Sequence, residues 1–385
     1  MSELLKRRKR VIGTALAVLI ALCLLLPVFI LMAAPRGEPV LALLPAKTAE
    51  AAHPAPPTPS RQIGTAARIY YRDKVVVLMY HNISPTYHGR GTITPETFAA
   101  EISALVQSGY HIIPVQELAA FLQKRAQVPP NAVVITFDDG YEGVYRYAYP
   151  VLKEFRAPAT VFLIASYIGK KEGFLSWPQV REMAASGLLT FGGHTFNAHY
   201  GAPTGPHTTA PATVAHIYDF ASGRKETATA YRTRLFADSQ RAQALFTQEL
   251  GAPTPYFAYP YGAFTPALDE ILRTAGYRYF FTTLGGANQP GQDPYHIYRI
   301  NAGAPWITPE RLVSAVRYVA WLYNLPHRMP HMWLPRWAKD PALAYLKANV
   351  PLSHPREPQR KLVNFNLHHA RISDRVSPPV ATIKR

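Results

Sequence analysis

Residues 132–140 read Ala-Val-Val-Ile-Thr-Phe-Asp-Asp-Gly, an apolar run that stops abruptly on two carboxylates and a glycine. Six consecutive residues dominated by β-branched and bulky side chains, with no polar alternation, fit a strand covered on both faces. That is the pattern of a parallel sheet. In parallel α/β folds, sites are built where strands end at their carboxyl side, which places Asp138 and Asp139 at the functional rim. Adjacent carboxylates point in different directions, so each can take a different task. The plainer alternative is that one of them caps the following helix.

The sequence on both sides repeats this grammar. VVVLMY (75–80), Tyr110–Ile113, ATVFLI (159–164), LLTFGG (188–193), YFAYP (256–260), YRYFFTT (277–283) and YHIYRI (295–300) are further strand candidates. Helical patterns lie between them: from Thr94-Pro95, and over Val115–Gln123, Tyr141–Phe155, Trp177–Ala185, Tyr231–Leu250 and Pro266–Thr274. In the first, Phe98, Ile102, Leu105 and Val106 fall on one face, Thr94 can cap, and Pro95 suits the first turn. Gly109, Gly187 and Gly276 stand where helices should stop. Strands alternating with helices predict a parallel α/β fold, either a barrel or a doubly wound sheet. No glycine-rich phosphate loop follows any strand, which argues against dinucleotide binding. Residues 201–230, rich in Pro and Thr, break the pattern and read as a long functional loop.

Histidines supply the remaining chemistry. His194 and His199 flank Thr-Phe-Asn-Ala at the end of a strand run, and at that spacing they converge only if the chain turns. With a carboxylate from a neighbouring strand they give three ligands and an open position for a divalent ion, which can acidify water and polarise a carbonyl. His81 ends the first strand run, again at the expected site rim. Pro260-Tyr261-Gly262 closes another strand and can shape a loop whose backbone N–H groups point at a ligand.

Taken in order, Thr136-Phe-Asp-Asp-Gly140, His194-Thr-Phe-Asn-Ala-His199 and Tyr259-Pro-Tyr-Gly262 resemble the motifs of polysaccharide deacetylases with NodB homology (carbohydrate esterase family four), over about residues 74–304. The resemblance implies a distorted (β/α) barrel. It implies metal-assisted removal of acetyl groups from N-acetylglucosamine units of a polymer, releasing acetate. Asp138 would be the general base; Asp139, His194 and His199 would hold the metal, commonly zinc; the Tyr261 backbone N–H would help stabilise the oxyanion. YHNI, with His81 as general acid, and the spacing between the two histidines resemble the poly-N-acetylglucosamine deacetylase branch, in which the acid motif lies at the front. Many members carry an arginine two residues before the Pro-Tyr-Gly proline, where this chain has Ala258. By placement, Arg299 in YRINAG is expected to brace the base instead. His368 in Asn366-Leu-His-His is a second candidate acid. Two alternatives accompany this expectation: a peptidoglycan N-acetylglucosamine deacetylase, and a catalytically inactive protein that binds cell-wall glycans in the same groove.

The chain has 385 residues, 48% of them hydrophobic, and a formal charge of +17. The hydrophobic share excludes disorder as the main state. Residues 1–35 hold +4 of the charge and residues 310–385 hold +9, leaving +4 for the whole middle. With no basic stripe in the expected folded core, nucleic acid is not an expected partner. The stretch 11–34 follows KRRKR and contains no charge, long enough to cross a bilayer and longer than the apolar part of an ordinary signal peptide. The expected layout is a cytoplasmic segment 1–10, a transmembrane anchor 11–34, a Pro-rich linker 35–73, a deacetylase domain 74–309, and a helix with a basic Pro-rich tail over 310–385. Positive charge before the anchor places the domain outside the cytoplasm on a single-pass membrane protein; cleavage of the segment would make it secreted. The basic tail is a candidate contact for anionic wall polymers. The single cysteine, Cys23, lies in the apolar segment, so any metal site must use Asp and His.

Overall fold

A computed structural model describes residues 68–322, except 88 and 90. The anchor expected at 11–34, the expected linker up to residue 67, and the tail with His368 lie outside the described residues. Among those described, no helix is long and apolar enough to cross a membrane.

The elements follow one another as β1 (Val75–Tyr80), β2 (Asn82–Ile83), β3 (Thr92–Ile93), α1 (Pro95–Gln107), β4 (His111–Ile112), α2 (Val115–Leu122), β5 (Ala132–Phe137), α3 (Tyr149–Phe155), β6 (Ala159–Leu163), α4 (Trp177–Ala185), β7 (Leu189–Gly193), β8 (Gly201–Gly205), β9 (Thr208–Pro211), β10 (Tyr218–Asp219), β11 (Arg224–Lys225), α5 (Ala228–Leu250), β12 (Tyr256–Ala258), α6 (Pro266–Thr274), β13 (Tyr279–Phe281), β14 (Ile300–Asn301) and α7 (Pro309–Leu322). The main sheet runs β13-β12-β7-β6-β5-β1-β14, every pair parallel, with β4 on β5. β4 pairs with the start of β5 and β6 with its end, so both share one edge. The two ends of the sheet approach each other through a single parallel bridge from Phe281 to Ile297, where the Thr282 N–H donates to the Ile297 carbonyl at 2.9 Å. The result is a partly closed parallel barrel with all strand exits on one rim.

Period-two alternation divides the apolar residues into two cores. Val76, Leu78, Tyr80, Val133, Ile135 and Phe137 face outward and pack under the helices. Val75, Val77 and Val134 face inward with Phe162, Ala258 and Phe281, and α2 contributes Leu118 and Phe121 to that same cluster. α2 therefore covers the inner core, leaving the strand exits as the open side. The helix α7 packs on α1 and β1 and buries Leu312, Val316 and Val319 in the outer core, so it forms part of the barrel's helical layer.

Local signals account for most helix ends. Thr94 accepts from the Thr97 N–H ahead of α1, and Ser176 with Gln179 forms a capping box ahead of α4. Gly109, Gly187 and Gly276 take positive φ just after α1, α4 and α6. Three stretches differ from the sequence expectation. Residues 201–230 are two antiparallel hairpins, β8–β9 and β10–β11, leading into α5; their small and polar residues carry no apolar alternation to announce strands. The helix expected from Tyr141 starts as a π-helical turn at Val144–Ala148, because Gly140 and Gly143 first fold the chain tightly under the rim. A Cβ on Gly143 would lie 2.0 Å from the Ile83 carbonyl oxygen. Of YHIYRI, only Ile300 lies in a regular strand.

Candidate active site

β5 carries the first site residues. Its inward positions continue from Val134 through Thr136 to Asp138, whose N–H still joins the ladder by donating to the Tyr80 carbonyl at 2.9 Å. Asp138 is 3% exposed and meets Arg299, 1% exposed, in a two-pronged pair: Nη1 to Oδ1 at 2.7 Å and Nη2 to Oδ2 at 2.8 Å. Arg299 is itself fixed, its Nε donating to the Thr282 carbonyl at 2.7 Å and its Nη1 to Thr136 Oγ1 at 3.3 Å. Burial alone would raise the Asp138 carboxyl, but the Arg299 charge, with His194 and His81, holds it below the usual carboxylate range. Asp138 is thus a buried, ionised, rigidly oriented carboxylate.

Asp139 turns away from that pair. Its φ of 75° and the 86° of Gly140 put two successive residues in the left-handed region, and a Cβ on Gly140 would fall 2.8 Å from a Leu163 methyl. For Asp139 this conformation costs about 1–2 kcal/mol, a strain held by the packed rim. The turn carries the Asp139 carboxylate to the histidines of β7.

β7 reaches the rim between large rings. A Cβ on Gly192 would lie 2.5 Å from the Phe162 ring, and one on Gly193 2.5 Å from the Tyr277 hydroxyl. Past it, Thr195 adopts φ 78° and reverses the chain, which is the turn that the His194–His199 spacing requires. His194 Nε2 and His199 Nε2 each lie 3.4 Å from Asp139 Oδ1, and the two imidazole centroids are 4.7 Å apart. His194 Nδ1 is 2.8 Å from the Ala258 carbonyl, which fixes the proton on Nδ1 and turns the Nε2 lone pair toward Asp139. Burial would raise the Asp139 carboxyl, yet His194, His199 and the charge of His81 hold it far below the carboxylate range. Burial lowers the His199 imidazole to about 4, leaving it neutral at pH 7. In His194, burial lowers the imidazole, but the adjacent Asp139 and Asp138 carboxylates outweigh it, so its pKa is raised.

Asp139 Oδ1 is buried and has no hydrogen-bond partner. A buried carboxylate oxygen without a partner is expensive. Here it faces two imidazole nitrogens, and the ligand atoms of Asp139, His194 and His199 all lie within 4.8 Å of one another. One carboxylate and two imidazoles form a donor set that suits zinc and related divalent ions. The residues fit a metal ion.

The other expected residues gather around this centre. Tyr261 has φ 57° and Gly262 φ 69°; a Cβ on Gly262 would come within 2.0 Å of Thr283 Oγ1. The Tyr261 ring lies on His199, with centroids 4.5 Å apart, so the Pro-Tyr-Gly turn borders the Asp-His-His cluster. His81 is half-buried at the end of β1, near enough for its charge to act on both Asp138 and Asp139. Its Nδ1 is buried without a hydrogen-bond partner. The rim also holds aromatics that the sequence reading did not single out. Tyr141 stacks on Phe174 at 4.8 Å, and Tyr167 meets Phe174 edge-on at 5.0 Å. Burial raises the Tyr141 hydroxyl, and Asp139 and Tyr261 are among the groups acting on it, so this wall adjoins the carboxylate cluster. Its one sequence signal was Tyr141 directly after Asp-Asp-Gly.

A partly closed α/β barrel with an Arg-braced carboxylate beside an Asp-His-His cluster defines a hydrolase-type centre. Residues 125–280 match the family model described as polysaccharide deacetylase. The solved structure of IcaB from Ammonifex degensii is 36% identical with a TM-score of 0.52, the match covering 64% of this chain and 97% of that one. The chain belongs to the polysaccharide deacetylase family. A de-N-acetylase structure from Aggregatibacter actinomycetemcomitans matches at 26% identity and TM-score 0.57, over 62% of this chain and all of that one (100%). Poly-beta-1,6-N-acetyl-D-glucosamine N-deacetylase of Escherichia coli K12 is 27% identical over 253 residues, 61% of this chain. The chain spans only 38% of that protein's length.

Proposed function

We propose that this chain is a metal-dependent polysaccharide N-deacetylase that hydrolyses the acetamide of N-acetylglucosamine units in a β-1,6-linked polymer, giving acetate and a free amine. One observation carries the reading: an ionised, Arg-braced Asp138 stands next in the chain to Asp139, which faces two histidines with an otherwise unpartnered oxygen. The linkage is supported by the names of relatives, including the E. coli protein.

Asp139, His194 and His199 would hold the divalent ion, which supplies Lewis-acid polarisation and a more acidic water. Zinc is favoured by one carboxylate with two imidazoles. The chain's own residues do the rest. Asp138, ionised and oriented by Arg299, takes a proton from the attacking water as its oxygen bonds to the acetyl carbon. The Tyr261 backbone N–H donates to the developing oxyanion. His81 protonates the glucosamine nitrogen as the C–N bond breaks, so that an amine rather than an amide anion departs. Tyr141, Tyr167 and Phe174 pack on one another beside this centre. Each acid–base participant should contribute about 10²–10⁴-fold in rate.

In the same proposal, residues 11–34 would anchor the protein in the membrane and hold the catalytic domain outside the cytoplasm. The decisive measurement is acetate release from purified β-1,6-linked polymer against cell-wall sacculi, each with and without a chelator. Faster release from sacculi favours a peptidoglycan deacetylase. No release from either polymer with Zn²⁺ present, but retained glycan binding, indicates an inactive binding protein. Full activity in His81→Ala with loss in His368→Ala would transfer the acid role to His368.

A further inference from the structure

The loop between the two histidine ligands is held from α5, by a residue 41 and 42 positions beyond the amides it binds. α5 places Asp238 against the loop backbone: Oδ2 accepts from the Phe196 N–H at 2.8 Å and Oδ1 from the Asn197 N–H at 2.9 Å. Both carboxylate oxygens are thus used on the two central residues of His-Thr-Phe-Asn-Ala-His. The remaining restraints come from the β6 exit and from the loop itself. The Ala165 and Ser166 N–H groups donate to the Thr195 and Phe196 carbonyls at 3.0 and 2.9 Å. The Ala198 N–H donates to Thr195 Oγ1 at 3.2 Å. With Thr195 at φ 78°, the reversal that brings His199 beside His194 is strained, and Asp238 is the charged group that spans it. Bonds from backbone N–H groups to a carboxylate are among the stronger hydrogen bonds.

α5 is in turn tied down next to Asp238. One turn earlier, Arg234 donates to the Ala212 and Ala215 carbonyls at 3.1 and 3.0 Å and pairs with Glu226 at 2.8 Å. Tyr231 donates from its hydroxyl to the Thr213 carbonyl at 2.8 Å. The helix therefore sits between the hairpins and the histidine loop, and fixes both.

We infer that Asp238 is a positioning residue for the metal centre, setting the His194–His199 geometry through the Phe196 and Asn197 amides. This rests on the proposed metal site and extends it to a residue outside the family-like motifs. Groups that orient metal ligands typically change affinity by about 10–100-fold when removed.

The test measures Zn²⁺ affinity of the full chain by competition with a chromophoric chelator, together with the visible spectrum of the Co²⁺-loaded protein. Asp238→Asn, which sets an amide N–H₂ against backbone N–H groups, is expected to weaken Zn²⁺ about 10–100-fold and alter the Co²⁺ spectrum. Asp238→Glu keeps the charge, displaces it by one methylene, and is expected to shift affinity in the same direction if Asp238→Asn does not fold. Gln243→Ala is the control: it lies on the same helix, bonds Thr254 through both side-chain ends at 2.9 Å, and does not touch the loop. It should lower thermal stability and leave Zn²⁺ affinity unchanged. Wild-type affinity and spectrum in both Asp238 variants, or equal weakening in Gln243→Ala, overturns the inference alone. A wild-type protein that binds no Zn²⁺ overturns the proposed function itself, and the inference with it.

Discussion

At the scale of single residues, the chemistry depends on how Arg299 treats Asp138. A buried carboxylate without compensation would take up a proton; the bidentate guanidinium keeps it ionised and directs its remaining lone pairs. Arg299→Met leaves the charge unpaired in the barrel, a loss of about 3–5 kcal/mol for a broken buried pair. It also removes the main influence lowering the Asp138 pKa. The acid limb of kcat/KM is therefore expected to move to higher pH, with stability near neutrality reduced; a pH–rate profile and a denaturant titration check this. The sign follows from a depressed pKa: the pair stabilises above the unfolded-state value and stops doing so as pH falls through the folded one. An unmoved acid limb would remove Arg299 from its bracing role. Asp138→Asn should lose activity by at least about 10²-fold and keep its metal, whereas Asp139→Ala should lose the metal; metal analysis of both variants separates the two carboxylates. The Arg299–Asp138 contact was foreseeable in sequence because Ala258 left the usual arginine position empty. The Tyr141–Phe174 stack was not, since nothing in the spacing of two aromatics 33 residues apart indicates contact.

At the scale of elements, β1 and α1 meet through a buried polar pair whose titration should be visible in stability. Glu101 is 0% exposed, and its Oε2 accepts from the Tyr80 hydroxyl at 2.8 Å. Burial raises the Glu101 carboxyl to about 8, although the Tyr80 bond opposes the shift. Between its ordinary value and about 8 the folded protein holds a proton that the unfolded chain has released, so stability falls as pH rises through that window. Glu101→Gln keeps the shape and cannot ionise. Its unfolding free energy is expected to match wild type near pH 5 and to exceed it increasingly towards pH 8, by an amount on the order of a few kcal/mol, with the melting temperature following the same trend. Parallel pH-dependent melts would contradict it. Other element-level features were legible from local physics. α4, α6, β1 and β5 coincide with their expected bounds because caps, prolines and continuous apolar runs all agreed there. The hairpins at 201–225 were not, because their strands cover a small alanine cluster and need neither alternation nor β-branched residues. The short β14 was overread because buried residues before it pack inside the barrel as irregular chain.

At the scale of the whole molecule, the charge is concentrated outside the described barrel. Residues 323–385 contain 11 Lys or Arg against 3 Asp or Glu, and the basic KRRKR precedes the apolar stretch at the other end. An uncharged N-acetylglucosamine chain gains nothing from long-range attraction, so acetate release from a soluble neutral oligomer should change little between low and high salt. Attachment to an anionic surface should behave oppositely. Exposed charges are screened beyond about 10 Å at 0.1 M salt, so binding that rests on the tail weakens as salt is added. Full-length chain and a chain ending at residue 322 can be compared for sedimentation with anionic wall polymer at about 0.02 and 0.3 M salt, well to either side of that screening length. The full chain is expected to sediment at low salt only, and the shortened chain at neither, while both release acetate from the soluble oligomer at similar rates. Salt-independent sedimentation of the full chain would assign retention to apolar or specific contacts. Loss of acetate release on shortening would make the tail part of the catalytic apparatus, where His368 would become the residue to replace.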